Sequence, residues 1–581
     1  MTTDHDEIEW QFDAPDLRRV MRWLRTAPLP PAVALGPESV RVMVDTYFET
    51  DDWRLTRAGY ALRVRQSGRD LEATMKALDG GEAGHRRRRE ISAAITPGDP
   101  AQAIERASGP LADRIHAVAG RHSLEPILEI RTRRRVRPVI VDGRPAGELA
   151  LDRTVIPRGA GAEPVRLERV EVEVGEGTVD ALAPFVEALQ AGCRLQPAAC
   201  SKLEAGMRAL DIVPSPLPDV GPIAIDDSMT AGDVAFAALR RSFAALLAHE
   251  PGTRLGDDIE ALHQMRVATR RLRAALKLFA DGLPARARGF HRTLGWLGGW
   301  LGAVRDLDVQ LERLRAWRTE MEPRDTAALE TVAVLLLRRR LRARRRMLSG
   351  LDSRRYEHFV AAFTAFLQHP PRRGPTLAPA PVLAVAPDLI ARRYRRVKNG
   401  GDAIVSASPA SEYHALRIRC KRLRYALEFQ ADVYGKPVRR LLRALVALQS
   451  LLGDHQDADV AGSQLRELCE AHGRTLRPEA IFVIGKIAER YERRAATLRR
   501  RFPKLYRRIL GQRWRKLRRA LEERRPSQPG AGTAGGTAGT APRREARPRR
   551  HAPASVPAQP RSVRRAKRAV ALRLSATRRS G

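Results

Sequence analysis

The sequence predicts an α+β protein with a mainly β N-terminal domain, an all-α domain built from two similar halves, and a disordered basic tail. Three observations support this prediction. Residues 1–212 contain segments in which charged and apolar residues alternate, as they do along a β-strand. Residues 228–522 contain helical segments in which one motif occurs twice, at a constant offset of 151 residues. Residues 523–581 are rich in Ala, Gly, Pro and Arg, a composition typical of disorder.

The alternation in the N-terminal domain places charged side chains on one face of each strand. The paired charges are Glu7 with Glu9, Arg63 with Arg65, and Glu171 with Glu173. Two arrangements explain the pattern: an open sheet with its charged face in solvent, or a closed antiparallel barrel whose interior collects both signs of charge. Inside a barrel, carboxylates could hold a divalent cation while Arg and Lys hold the phosphate oxygens that the cation bridges.

These segments resemble the CYTH family of triphosphate tunnel enzymes, whose pattern opens with ExExK. Here the stretch is EIEWQ, so both acids are present but Gln11 stands in place of the lysine. Further matching segments are YFETDDWRLTRAGYALRVR, LEATMKA, RRREI, ELALD, ERVEVEV and SKLEAGMRAL. Within EIRTRRRV, Arg133 is the best candidate for the family's basic residue, and Arg135 on the same face is the next.

The resemblance implies a β-barrel tunnel that binds Mg²⁺ or Mn²⁺ and a triphosphate. The implied metal ligands are Glu7, Glu9, Glu148, Asp152, Glu171 and Glu173. The implied phosphate-binding residues are Arg63, Arg65, Lys76, Arg88, Arg133 and Lys202, and the implied catalytic residues are Glu7, Glu9 and Lys76. The change at Gln11 leaves two outcomes open, hydrolysis of inorganic triphosphate and phosphate binding without turnover. Thiamine triphosphatase and adenylate cyclase activities also occur in the wider family.

The repeated helical motif carries a stripe of one histidine and three cations. In the first copy, LHQMRVATRRLRAALKLF, the stripe residues recur at i, i+3, i+7 and i+10, which is one face of a helix; they are His263, Arg266, Arg270 and Arg273. The second copy, YHALRIRCKRLRYALEF, has the same spacing at His414, Arg417, Lys421 and Arg424. Each stripe covers about 15 Å, which suits an extended polyanion better than a single phosphate. A merely solvated basic face remains the alternative.

Both copies are followed by similar acidic segments, LGAVRDLDV and LGDHQDADV. The aspartates of each segment, such as Asp306 and Asp308, point about 200° apart on a helix and therefore cannot form a two-carboxylate catalytic pair. We expect one of each pair to orient a stripe arginine through an ion pair. The motifs together resemble the CHAD family, the conserved-histidine α-helical domain, over about residues 225–520. The resemblance implies binding of inorganic polyphosphate and association with polyphosphate granules.

Composition adds boundaries and a compartment to these predictions. The Pro-rich segment 213–227 is expected to be a linker, and the halves of the helical domain to span about 228–368 and 389–522. The net charge is −3 for residues 1–220, +29 for 221–525 and +12 for 526–581, so the polyanion partner is expected to bind the helical domain and the tail. No apolar run approaches the roughly 18 residues that span a bilayer, which predicts a cytoplasmic protein without a membrane partner.

A second interpretation assigns the basic charge to nucleic acid. In this alternative the protein is a nucleoid or RNA-binding protein with a catalytically degenerate CYTH domain, and the tail contacts the phosphate backbone. Few aromatic residues are interleaved with the basic segments, so base stacking is poorly supported. Salt-sensitive binding is expected in both cases, and competition between polyphosphate and nucleic acid distinguishes them.

Overall fold

The structure is a computed structural model that describes residues 2–526 except 79–80, 83, 160–161, 176–177, 215–216, 371–377 and 475. The described chain divides into two compact units, one that ends at Leu217 and one that begins at Pro218. The predicted basic tail lies almost entirely outside the described residues, because it begins only a few residues before their end. No helix in the described ranges is long and apolar enough to cross a membrane.

The first unit is built on a single antiparallel sheet. Its strands are β1 (Thr2–Asp13), β2 (Val33–Leu35), β3 (Ser39–Glu49), β4 (Tyr60–Ser67), β5 (Asp70–Ala77), β6 (Gly81–Glu82), β7 (His85–Ile95), β8 (Glu125–Val141), β9 (Arg144–Ile156), β10 (Val165–Val174) and β11 (Gln196–Pro197). Its helices are α1 (Leu17–Thr26), α2 (Arg54–Arg57), α3 (Pro100–Arg106), α4 (Pro110–Ala119), α5 (Val179–Cys193) and α6 (Lys202–Ala209).

Eight of these strands close into a barrel, which confirms the predicted β-barrel. The order of neighbours is β1-β10-β9-β8-β3-β4-β5-β7, and β7 pairs again with β1. Strand β1 closes the circle by using its two ends differently. Residues from Thr2 to Trp10 pair with β7, and residues from Glu9 to Asp13 pair with β10.

The outer face of the barrel carries the apolar half of the alternation and is covered by helices. Val170 and Val172 of β10 are fully buried in a cluster with Leu182, Phe185 and Leu189 of α5. A second cluster belongs to the inner face instead: it joins Ile130 and Leu128 of β8, which share the face of Arg134, to Leu203 of α6, which lines the barrel cavity. Because apolar side chains take the outer face, the charged side chains that alternate with them point into the barrel.

The second unit is all α-helical. Its helices are α7 (Ala231–Leu255), α8 (Ile259–Leu278), α9 (Ala287–Glu320), α10 (Pro323–Leu351), α11 (Arg354–Gln368), α12 (Val382–Asp402), α13 (Ala410–Glu428), α14 (Ala431–Tyr434), α15 (Lys436–His472), α16 (Pro478–Arg507) and α17 (Gln512–Glu523). Helices α7 to α11 correspond in order to α12, α13, α15, α16 and α17. The starts of α7, α8 and α9 lie within two residues of the starts of α12, α13 and α15 after a shift of 151, which confirms the duplicated helical domain.

The two halves also meet at their beginnings. The amide of Ala231 donates to the carbonyl of Ala380, and the amide of Val382 donates to the carbonyl of Met229. The second half therefore begins at Val382, not near residue 389 as predicted. The proline-rich sequence predicts a connection here, but Pro387 lies inside α12 and does not end the helix.

Part of the predicted linker belongs to the helical unit. The side chain of Gln368 donates to the carbonyl of Asp219, and Arg240 and Arg241 donate to the carbonyls of Pro222 and Ile223. Extended segments with prolines still offer carbonyl oxygens, and here arginines of α7 use them. The stretch that follows Leu217 is thus attached to the helical unit.

Candidate functional site

The barrel encloses a cavity of about 160 Å³ lined by both signs of charge. All of the predicted tunnel residues except Arg133 and Asp152 line this cavity: Glu7, Glu9, Arg63, Arg65, Lys76, Arg88, Glu148, Glu171, Glu173 and Lys202. Gln11 and Glu90 also lie in the lining. The inward alternation of the strands therefore collects acids and bases in one enclosed space, as the barrel interpretation requires.

Three carboxylates form a row across three neighbouring strands. Glu9 of β1 is paired with Glu173 of β10, and Glu173 is paired with Glu148 of β9. Like charges directly opposite each other destabilise a sheet. Burial, together with Glu9 and Glu148, raises the pKa of Glu173. Neither Glu148 nor Glu173 has an ion-pair partner among the described residues, so this row carries uncompensated negative charge.

Beside this row lies a cluster centred on Lys76. Its ammonium forms an ion pair with Glu7 and lies 3.2 Å from Glu9 and 3.6 Å from Glu90. Burial opposes the charge of Lys76, but Glu9 and Glu7 outweigh burial and raise its pKa. Burial and the neighbouring Glu9 raise the pKa of Glu7 to about 7. Arg88 forms a second ion pair with Glu9.

A second cluster is built around Asp152, which is completely buried. Arg134 donates to both of its oxygens, at 2.9 and 2.7 Å, and Lys202 forms an ion pair with it. Both cations also contact Glu171, with Lys202 at 2.8 Å. Asp152 does not line the cavity, and its oxygens are occupied by cations. Its place therefore fits a residue that positions Arg134 and Lys202 better than it fits the predicted metal ligand.

On β8 the cavity is lined by Arg134 and not by the predicted Arg133. Arg133 is exposed, on the opposite face of the strand from Arg134. Arg135, the second candidate, forms an exposed ion pair with Glu38. The segment contains three consecutive arginines, so the sequence did not fix which one points inward. Ile130 and Thr132 precede Arg134 by four and two residues and therefore share its face of the strand. Both are buried, which identifies Arg134 as the inward arginine.

Gln11 occupies the position of the missing lysine and faces the cavity. Its side chain is buried, and its Oε1 has no hydrogen-bond partner among the described residues. The paired residue on β10 is Glu171. A lysine at position 11 would therefore approach a carboxylate that Lys202 and Arg134 already neutralise.

Asp45 is a cavity residue that the sequence reasoning missed. It accepts two hydrogen bonds from Arg65, at 2.8 and 3.0 Å, and lies 4.0 Å from Arg63. Burial would raise its pKa, but Arg63 and Arg65 outweigh burial and lower the pKa to about 2. Asp45 thus holds two predicted phosphate-binding arginines in place. The sequence indicates this role only by a single acidic residue within the mainly apolar strand segment VMVDTYF.

The donor set of the cavity fits a hard divalent cation. Glu7, Glu9, Glu148 and Glu173 supply carboxylate oxygens, which Mg²⁺ and Mn²⁺ prefer. Burial and then the neighbouring acids Glu9 and Glu148 raise the pKa of Glu173, and such a cation would neutralise this negative charge. A separate group of possible ligands, Asp51, Asp52 and His122, is partly exposed and is not part of the cavity lining.

In the helical unit, α8 and α13 present the two stripes to each other. Arg270 donates from Nε to the hydroxyl of Tyr425 at 2.9 Å, and Phe279 contacts Phe429 with ring centroids 5.9 Å apart. The inner stripe cations are half-buried and close enough for their charges to interact. We call Arg266, Arg270, Arg417 and Lys421 the central cationic surface.

The duplication is repeated at the level of single contacts. The guanidinium of Arg266 packs against Gly302 of α9, and that of Arg417 packs against Gly453 of α15. Both pairs are related by the offset of 151 residues. In each pair, the Nε of the arginine lies 3.6 Å from the position that a Cβ would occupy. The two arginines therefore lie in equivalent positions against the neighbouring long helices.

The cations of this surface repel one another. Burial, followed by Arg417, Arg270 and Arg266, lowers the pKa of Lys421 to about 8. Burial is also the main cause of the lowered pKa of Arg266, where Arg270, Arg305 and Arg417 contribute to the shift while Asp306 opposes it. A partly buried cluster of positive charges with few neighbouring carboxylates favours the binding of an anion.

The two histidines lie at the N-terminal ends of the stripes, and both are half-buried. The Nδ1 atoms of His263 and His414 are buried and have no hydrogen-bond partner among the described residues. Burial lowers the pKa of His263, and the cations Arg305, Arg270 and Arg266 add to the effect. The outer stripe residues differ: Arg273 is exposed, and Arg424 donates to Glu428 at 2.6 Å.

The paired aspartates orient arginines. Asp306 lies 3.8 Å from Arg266, which is the ion pair expected of it. Its counterpart Asp457 forms its ion pair, at 3.4 Å, with Arg313 of α9. Burial raises the pKa of Asp306, and Asp457 contributes, so the two equivalent acids lie near each other. Asp308 is buried and accepts a hydrogen bond from Arg340 at 2.5 Å.

Comparison with known proteins assigns each unit to a family. The CYTH domain model matches residues 32–205, and the CHAD domain model matches residues 237–466. Curated relatives from two strains of Mycobacterium tuberculosis, both uncharacterized, are 26% identical over 447 residues, which is 72% of this chain and 80% of theirs.

Solved structures match each unit separately. The CHAD domain from the plant Ricinus communis is 28% identical and covers 50% of this chain and 96% of its own, with a TM-score of 0.42. PptA from Streptomyces chartreusis is 22% identical and covers 48% of this chain and 99% of its own, with a TM-score of 0.38. A Hippeastrum protein with a dominant triphosphatase activity is 17% identical and covers 35% of this chain and 96% of its own, with a TM-score of 0.26.

Proposed function

Because this chain belongs to the CYTH family through its N-terminal unit and to the CHAD family through its helical unit, we propose that it binds inorganic polyphosphate and hydrolyses inorganic triphosphate. Polyphosphate binds along the central cationic surface, and the short chain enters the barrel cavity. The two ligands share one chemistry, a run of phosphates with closely spaced negative charge. Association with polyphosphate granules in the cell would follow from the first activity.

The observation that supports polyphosphate binding best is the approach of two equivalent stripes. Arg266 and Arg270 face Arg417 and Lys421, and Asp306 is an acid that opposes their charge. An isolated phosphate would contact only part of this surface. A chain of phosphates can contact cations of both helices at once, and guanidinium groups bind phosphate oxygens in pairs.

Titration of the full chain with long-chain polyphosphate tests this proposal. We expect the double variant Arg266→Gln/Arg417→Gln to lose at least about a hundredfold in affinity, since two charge-assisted contacts are removed. The matched control Arg493→Gln/Arg519→Gln removes two exposed charges of other helices. Equal losses in the two variants would show that only the overall charge matters.

The barrel cavity supports the hydrolytic part of the proposal. Arg63, Arg65 and Arg88 face acids across the same enclosed space, so they can bind and orient the phosphate oxygens. Asp45 fixes two of these arginines, and Lys76 contacts Glu7, Glu9 and Glu90 in the same cavity. A bound Mg²⁺ or Mn²⁺, held by Glu7, Glu9, Glu148 and Glu173, would neutralise phosphate charge and acidify a bound water.

The direct assay is phosphate release from tripolyphosphate in the presence of Mg²⁺ or Mn²⁺. Wild type should release phosphate, and Glu148→Gln/Glu173→Gln should reduce the rate by at least about a hundredfold. Thiamine triphosphate and ATP serve as comparison substrates, because both place an organic group at one end of the chain. Binding of tripolyphosphate without release would reduce this unit to a phosphate-binding domain.

Nucleic acid is the competing ligand of the helical unit, because its charge is strongly positive and phosphate attraction is not sequence-specific. Polyphosphate should displace duplex DNA or RNA from the full chain. His263→Ala/His414→Ala should weaken polyphosphate binding more than duplex binding. Equal weakening of both would favour the nucleic-acid function.

A further inference from the structure

The duplication gives the helical unit two equivalent groups of side chains, which we call the reference slot and the second slot. The reference slot lies in a cavity of about 390 Å³, where α7 and α8 meet the end of α13 and the beginning of α14. Its arginines are paired with acids. Arg241 lies 3.1 Å from Asp432, and Arg271 lies 3.7 Å from Glu428. The reference slot is thus close to neutral.

The second slot is found by applying the offset of 151 residues to the reference slot. Arg392 and Arg422 replace Arg241 and Arg271, and Asp281 replaces Asp432. Three further equivalent positions have changed sign or gained charge. Lys277 stands where Glu428 stands in the reference slot, and Arg393 and Arg396 stand in place of Ser242 and Ala245.

These substitutions leave the second slot with excess positive charge. Among the described residues, no acid forms an ion pair or hydrogen bond with Arg392, Arg393, Arg396 or Arg422, and Arg393 donates only to the carbonyl of Leu389 in its own helix. Burial and the charges of Arg392, Arg396 and Arg422 lower the pKa of Arg393 to about 10, while Asp281 opposes them. Arg393 is half-buried, whereas Arg392, Arg396 and Arg422 are exposed around it. A half-buried guanidinium without an acid partner is costly unless an anion compensates it.

The positive surface continues from the second slot toward the stripe of α8. Lys277 and Asp281 line an adjoining cavity of about 520 Å³ together with Arg288 and His291 of α9. After burial, Arg273 and Lys277 are the charges that lower the pKa of His291. Arg273 is the last residue of the first stripe, so cations follow α8 from the central cationic surface to the second slot.

We propose that the second slot, formed by Lys277, Arg392, Arg393, Arg396 and Arg422, binds the phosphates of a polyphosphate chain that extends beyond the central cationic surface. This proposal rests on the proposed function of the helical unit. A short polyphosphate chain occupies only the central cationic surface, and a longer chain also reaches the second slot. Affinity should therefore increase with chain length beyond what the central surface alone provides.

The test compares Arg393→Gln/Arg422→Gln with Arg241→Gln/Arg271→Gln in the full chain. Both variants remove two arginines, so their net charges are equal, and Arg422 and Arg271 are equivalent under the offset of 151 residues. Affinity is measured for a short and a long inorganic polyphosphate and for duplex RNA. We expect the second-slot variant to bind the long chain about tenfold more weakly and the short chain almost as well as wild type, and the reference variant to change either affinity less than about threefold. Thermal unfolding of both variants verifies that they fold.

Each other outcome has a definite meaning. Equal loss in the two variants, or no loss in either, overturns the second slot while the loss in Arg266→Gln/Arg417→Gln still supports the central surface. A larger loss for RNA than for polyphosphate assigns the slot to nucleic acid and overturns the proposal. Failure of wild type to bind any polyphosphate overturns the proposed function and the second slot together.

Discussion

Glu173 lies directly opposite Glu9 in the pairing of β10 with β1, although both are acids inside the barrel. Lys76 and Arg88 lower the pKa of Glu9 despite its burial, whereas the pKa of Glu173 is raised. The relationship explains why the cavity fits a cation: the charge at Glu9 is paired, and the charge at Glu173 is not.

Removal of the Glu173 charge should stabilise the metal-free protein and should reduce the stabilisation that bound metal provides. Glu173→Gln should raise the melting temperature of the metal-free protein, because like-charge repulsion is relieved. The same variant should lose most of the stabilisation that Mg²⁺ or Mn²⁺ gives wild type. Thermal unfolding with EDTA and with added metal measures both effects. The exposed Glu105→Gln serves as control, and an equal response of this control would contradict the account.

Gln11→Lys should change the rate of tripolyphosphate hydrolysis by less than about threefold, because Lys202 and Arg134 already neutralise the facing Glu171. Lys202→Gln should instead reduce the rate by about a hundredfold. Steady-state phosphate release, with melting temperatures as a check on folding, measures both variants. Inactive wild type together with active Gln11→Lys would show that position 11 disables this barrel.

Polyphosphate affinity should fall as pH rises from about 7 to 10. Lys421 has a pKa of about 8 in the free protein, and a bound phosphate would raise it. Above pH 8 the complex then holds more protons than the free protein, so deprotonation opposes binding. The stability of the ligand-free protein has the opposite pH dependence. The pKa of Lys421 is lower in the folded protein than in the unfolded chain, so the contribution of Lys421 to the free energy of unfolding increases with pH across this range.

Titrations of Lys421→Arg and Lys421→Met at several pH values verify the assignment. The arginine variant should bind well and lose this pH dependence, because a guanidinium stays charged. The methionine variant should bind weakly at every pH. A wild-type slope that persists in both variants would assign the titration to another group.

Glu250 anchors a buried ionic network in the helical unit and should matter for stability alone. It accepts hydrogen bonds from Arg254 and from the hydroxyl of Tyr356, both at 2.7 Å, and Arg254 also contacts Asp352. Glu250→Gln should lower the free energy of unfolding by about 2–4 kcal/mol, since a buried guanidinium loses a partner. Urea unfolding followed by circular dichroism measures the change. The exposed Glu330→Gln should cost almost nothing, and an equal cost would contradict the network.

The sequence predicted the barrel and the duplicated helical unit because both are encoded by periodic patterns. Charged and apolar residues alternate through β1, β4 and β10, and the interval of 151 residues repeats in whole helices. The start of α12 was missed for a local reason. Pro387 suggested a break in the chain, whereas packing of the flanking apolar residues maintains the helix around it.

Site residues were predictable where one charged residue stood in a clear alternation, as at Lys76 and Glu173. The alternation was ambiguous in the arginine run of β8, where only burial of Ile130 and Thr132 identifies Arg134 as the inward residue. Asp45 was missed because its role depends on Arg63 and Arg65 of the neighbouring strand. The sequence also could not show that Asp306 approaches Asp457, because the contact joins two halves of a duplication.

The stoichiometry of polyphosphate binding, measured by isothermal titration of wild type, Arg266→Gln and Arg417→Gln, tests the central claim most directly. If both stripes bind one phosphate chain, wild type takes up one chain, and each single variant still takes up one chain but with weaker affinity. If the stripes are independent sites, wild type takes up two chains, and each single variant loses one of them while the other binds with unchanged affinity. The second result would contradict the account.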